Sequence, residues 1–164
     1  AASGSFFGTD VFVVGADGST PVRLTQGGRA GAPRWTADGR ILFGQDSSAG
    51  PQLMTMNPDG SDVRPVFSKP VKISDPASAA LTRDRKRVVY VGPVPVANEA
   101  VASIMTGESA NDLFVSRAGD PRPKRLENKH PFKQRFALSP DGRRIVYEVK
   151  NGKSGKSELW VMSL

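Results

Sequence analysis

Short apolar runs recur along the chain, separated by Asp-Gly and Pro-Asp pairs. Ile41-Leu42-Phe43, Val88-Val89-Tyr90 and Ile145-Val146-Tyr147 are β-branched or aromatic and too brief for helices, so they predict strands. A polar turn precedes each of them. Trp35-Thr36-Ala37-Asp38-Gly39 leads the first, Leu81-Thr82-Arg83-Asp84-Arg85 the second and Leu138-Ser139-Pro140-Asp141-Gly142 the third. A second phrase keeps step with the first. "DVFVV" (10–14), "QLMTM" (52–56), "DLFVS" (112–116) and "ELWVM" (158–162) each set a polar residue before a strand-like stretch. Turns follow at "GADGS" (15–19), "NPDGS" (57–61) and, in degraded form, "RAGDP" (117–121). Short strands come next, "PVRLT" (21–25), "VRPVF" (63–67) and "PKRLE" (123–127).

The repeating unit is therefore four strands, A to D, with tight hairpins joining A to B and C to D. It recurs after 46 residues from Asp38 to Asp84 and after 57 from Asp84 to Asp141. One such sheet cannot cover both of its apolar faces and must stack on copies of itself, which predicts the blades of a β-propeller. A β-sandwich with coincidental turns is the alternative. The expected fold class is all-β, with four-stranded antiparallel blades, about three to four of them present and the first and last partial. Within one domain, 1–164, they are a partial blade at 5–25, blades at 33–67 and 77–127, and a partial blade at 136–164. Trp35, Leu81 and Leu138 are expected in the interior. The count admits a near-minimal four-blade ring, a piece of a larger propeller or an open array completed by another chain, and because both ends fall inside a blade the piece is the expectation.

The turn residues Asp17, Gly18, Asp38, Gly39, Asp59, Gly60, Asp141 and Gly142 are expected to be structural. Aspartate bonds its own backbone in such turns and glycine accepts positive φ. No D-x-D-x-D-G loop suggests calcium, and neither a metal site nor a cofactor is expected.

Charge changes the picture on one side of the molecule only. The net charge is +7, and residues 121–156 hold eleven basic against three acidic side chains. If the hairpins share one rim, the longer connections at 26–33, 45–51, 68–76, 92–111, 128–135 and 149–157 share the other. Two of these are basic, and Lys129, His130, Lys133, Arg135, Lys153 and Lys156 are the candidate residues for binding an acidic partner or an anion. The connection 92–111 contains a candidate helical turn at Glu99–Met105. Enzyme motifs are weak. "GESAN" (107–111) lacks the last glycine of G-x-S-x-G, and "NGKSGKSE" (151–158) lacks the leading glycine of a phosphate loop. Basic charge without spaced stacking aromatics speaks against nucleic acid, the absence of cysteine removes disulfide and thiol chemistry, and no apolar run is long enough to span a membrane.

"PRWTADGRILF", "FALSPDGRRIVYE" and "ELWVMSL" resemble the PD40 (WD40-like) repeats of TolB-like β-propellers, which also occur in propeller domains of prolyl-oligopeptidase-type enzymes. The resemblance implies a non-catalytic scaffold that offers its long-loop rim to a protein partner. It also admits the propeller of a hydrolase whose catalytic domain lies outside these residues. A third reading is a binder of an acidic sugar or polyanion at the basic rim. A periplasmic or secreted location follows from the resemblance and from the opening "AASGS".

Overall fold

The computed structural model describes residues 8–48, 50–69, 71, 73, 76–93, 111–120, 122–126, 133–150 and 156–164. Among these residues the strands form four antiparallel sheets. The first pairs β1 (Phe12–Val13) with β2 (Val22–Arg23). The second contains β3 (Ala30–Trp35), β4 (Ile41–Ser47), β5 (Gly50–Met56) and β6 (Arg64–Pro65) in that order. The third repeats the order with β7 (Ala79–Leu81), β8 (Arg87–Pro93), β9 (Asn111–Arg117) and β10 (Lys124–Arg125). In the fourth, β11 (Lys133–Leu138), β12 (Arg144–Lys150) and β13 (Ser157–Ser163) pair in turn. A 3₁₀ turn at Pro76–Ser78 leads into β7.

Side chains alternate across a strand, and the second strand of each sheet uses both faces. Ile41 and Phe43 of β4 pack back on the first sheet with Val11, Ala30 and Met56. Leu42, on the opposite face of β4, packs forward with Leu53, Val88, Tyr90 and Phe114. One sheet further on, Val89 and Val91 of β8 face forward onto Ile145, Tyr147 and Val149 of β12. The core is therefore three layers, one per junction between successive sheets, and each buried large aliphatic contributes about 1.5–3 kcal/mol. Tyr90 anchors the middle layer, edge-on to Phe67 and stacked near Phe114, with its hydroxyl 3.4 Å from Ser116 Oγ.

The A–B hairpins repeat one hydrogen-bond device. Thr36 N–H donates to Arg40 O (2.9 Å), Thr82 N–H to Arg87 O (2.9 Å) and Ser139 N–H to Arg144 O (2.9 Å). In each turn the Thr or Ser hydroxyl donates to the aspartate, Asp38, Asp84 or Asp141. That hydroxyl in turn accepts the N–H of Arg40, Arg87 or Arg144. Gly39 (φ 79°) and Gly142 (φ 68°) take the left-handed position that follows, and Arg85 (φ 56°) holds the same conformation without being glycine. Gly18 (φ 76°) and Gly60 (φ 82°) do the same in the C–D turns.

Two sequence expectations need correction. Trp35 is 61% exposed, whereas Leu81 is buried and Leu138 packs against the last junction. All three hold the same place in their strands, but β7 and β11 lie against full four-stranded sheets. Among the described residues, the sheet that precedes Trp35 is the two-stranded hairpin β1–β2. The connection at 45–51 is not a long loop, because β4 and β5 stay paired as far as Ser47 and Gly50. The part of the partial blade that precedes Gly8 lies outside the described residues, as does the candidate helical turn at 99–105.

Candidate binding site

The first strands β3, β7 and β11 converge on one cleft of about 310 Å³ that opens beside the A–B hairpins. Arg34, Trp35, Arg83 and Phe136 are its large side chains, and among the described residues no carboxylate lines it. A bulge between Gly31 and Arg34, with Ala32 at φ 53°, shifts the end of β3 out of regular register. From there Arg34 reaches the neighbouring sheet and donates to the Ala79 carbonyl at 2.6 Å. Arg83 sits in the turn after β7 and is exposed. The cleft thus brings two guanidinium groups and two aromatic side chains together, a combination chemically suited to a carboxylate attached to an apolar group.

The cleft hydroxyls are engaged elsewhere. Thr36 and Ser139 line it, yet both donate to the aspartates of their own turns. Those carboxylates are held by local bonds. The Thr82 hydroxyl, then the Lys86 N–H, lower the pKa of Asp84, and the Ser139 hydroxyl and Arg143 N–H do so for Asp141. In the C–D turns the Ser61 hydroxyl and N–H lower Asp59, and the Ser19 N–H and hydroxyl lower Asp17. Asp120, bonded by the Arg122 guanidinium and N–H, falls to about 2. Among the described residues no three His, Asp or Glu side chains come together as metal ligands would.

Of the basic candidates, Arg135 and Lys156 are exposed. Lys133 belongs to β11 and pairs through its backbone with Val149. Lys129, His130 and Lys153 lie outside the described residues, as do most of "GESAN" and the lysines at 150–155 as side chains. The cleft residues escaped sequence reasoning, although a signal exists. Arg34 stands where the other two sheets place Ala80 and Ala137, Phe136 where the third places Ala79, and Arg83 where the others place Ala37 and Pro140. They are departures from the repeat.

No protein-family model matches the chain. Among solved structures, a putative TolB from Agrobacterium tumefaciens aligns with a TM-score of 0.57 at 17% identity, over 88% of this chain and 46% of that one. The β-propeller domain of the trilobed protease from Pyrococcus furiosus, described as having an open velcro topology, aligns with a TM-score of 0.50 at 11% identity. That alignment covers 82% of this chain and 38% of that one. The fold is that of a TolB-like β-propeller. In this TolB-like frame the sheets are blades, β3, β7 and β11 are the strands nearest the axis, and the cleft is axial. Among curated proteins, dipeptidyl-peptidase 5 from Porphyromonas endodontalis is 37% identical over 94 residues. The match covers 56% of this chain and 13% of that protein, so the chain spans a small part of this relative and under half of the TolB structure.

Proposed function

We propose that this chain is a non-catalytic binding module, a rigid propeller scaffold that receives a protein partner. The axial cleft supports the reading, because it sets Arg34 and Arg83 beside Trp35 and Phe136 with no acidic side chain among the described residues of its lining. The partner it suits offers a carboxylate next to an apolar side chain. The basic loops around Lys129, His130, Lys133, Arg135, Lys153 and Lys156 supply long-range attraction for the same acidic partner. A periplasmic or secreted setting accords with this role. To test it, the immobilised chain captures a partner, and retention is compared among variants. Loss of retention with Arg83→Glu and Trp35→Ser, at unchanged circular dichroism, supports the cleft. Retention that responds only to Lys129→Ala, Lys133→Ala and Arg135→Ala overturns the cleft in favour of the loop rim.

A second reading is favoured by the relative at 37% identity. Here the same module is the propeller of a dipeptidyl-peptidase-like protein and guides acidic or aromatic peptides towards a separate hydrolase region. A G-x-S-x-G hydrolase region in the same reading frame supports it. A complete reading frame without one overturns it.

A further inference from the structure

The first strands of the second, third and fourth sheets bring one backbone pattern to the axial cleft. Thr36, Thr82 and Ser139 each donate their N–H across the hairpin, to Arg40, Arg87 and Arg144. In an antiparallel ladder such bonded pairs alternate with pairs whose N–H and C=O groups turn away from the partner strand. Trp35, Leu81 and Leu138 come one residue earlier, opposite Ile41, Val88 and Ile145, and are of the second kind. Ala79, two residues before Leu81, shows the consequence. Its carbonyl leaves the β7–β8 ladder and accepts Arg34 Nη1 at 2.6 Å. Because β3, β7 and β11 each stand at an end of their sheet, the N–H groups of Trp35, Leu81 and Leu138 point off the strand edges. All three residues line the cleft.

Charge and shape select among acidic occupants. Arg83 lines the cleft, and its guanidinium has no ion-pair partner among the described residues. Arg34 is fixed by its bond to the Ala79 carbonyl, and a guanidinium carries further donors beyond that one. The lining also includes Leu42 and Leu81, which are 1% and 9% exposed and belong to the middle core layer. The cleft therefore ends on packed core. Such a cleft admits the end of a chain more readily than a chain that must pass through. A terminal residue also carries its carboxylate and its side chain on one carbon, so both reach the same small space together.

We propose that the axial cleft receives the C-terminal residue of a protein partner, an apolar residue with a free α-carboxylate. The carboxylate lies on Arg83 and the outward N–H groups of the inner strands, and the terminal side chain lies against Trp35 and Phe136. The assignment deepens the cleft reading above and rests on it.

A synthetic chain end is the probe. An N-terminally labelled peptide, Gly-Ser-Gly-Ser-Phe with a free C terminus, is titrated into the 164-residue chain and followed by anisotropy. Saturable binding is expected, weakened at least about tenfold by amidation of the C terminus, since a charge-assisted bond is lost. Arg83→Gln is expected to weaken it by a similar factor, and Arg83→Lys to recover part of the loss. Arg83 is exposed in its turn, and unchanged circular dichroism confirms that these variants fold. A second peptide, Gly-Ser-Phe-Glu-Gly-Ser with an amidated end, carries its acid internally. If it binds as tightly as the free chain end and still depends on Arg83, the terminal assignment is overturned while the cleft remains the binding surface. If neither peptide binds at millimolar concentration, or binding ignores both Arg83→Gln and Trp35→Ser, the cleft reading falls with it.

Discussion

Asp84-Arg85 shows how little a turn needs in order to persist. The Thr82 hydroxyl and Lys86 N–H hold Asp84 as the other turns hold theirs, so the backbone keeps its path although glycine is missing. Arg85 remains left-handed at φ 56° and meets Asp38 of the preceding blade at 3.3 Å. An exposed ion pair of this kind contributes under about 1 kcal/mol. Replacing Arg85 by glycine and by alanine removes that pair equally, but only glycine relieves the backbone. The glycine variant is expected to exceed the alanine variant by about 1 kcal/mol in urea unfolding. Equal stabilities would mean that the turn carries no strain.

At the level of the strand, identical residues have different worth according to what lies beyond them. Leu53 of β5 and Leu159 of β13 share a repeat position, and among the described residues only the first has a blade in front of it. Leu53→Ala is expected to lose about 2–5 kcal/mol through transfer and cavity terms. Leu159→Ala should change stability by less than about 0.5 kcal/mol. Both follow from urea midpoints of the same chain. A large loss at Leu159 would show that its face is covered in solution. The fourth strands illustrate the same dependence, since "PVRLT", "VRPVF" and "PKRLE" look alike in strength yet keep only two paired residues each. Gly119 N–H bonds the Val66 carbonyl at 2.8 Å and closes that edge for β6.

Among the described residues the buried clusters lie at the junctions between successive sheets, and stability in such an array is approximately a sum of local junctions. Ile145 is fully buried in the junction between the third and fourth sheets. Ile145→Ala is therefore expected to lower amide-exchange protection in β11–β13 well before it alters β3–β5. Uniform loss across all sheets would instead mark one cooperative unit. Strand positions, hairpin chemistry and the stacking of copies were legible in the residues, because alternation and turn preferences are local and the chain repeats them. Trp35 was misread for the opposite reason. Its exposure depends on how much sheet precedes it, which no local pattern records. The cleft was hidden likewise, as Arg34, Arg83 and Phe136 belong to three different sheets and meet only when β3, β7 and β11 converge. Sequence alone determined the repeating unit and its turns, since these follow from torsional and hydrogen-bonding preferences of neighbouring residues. Tertiary structure alone decided which faces are covered and which side chains share the axis, since both depend on contacts between blades far apart in the chain.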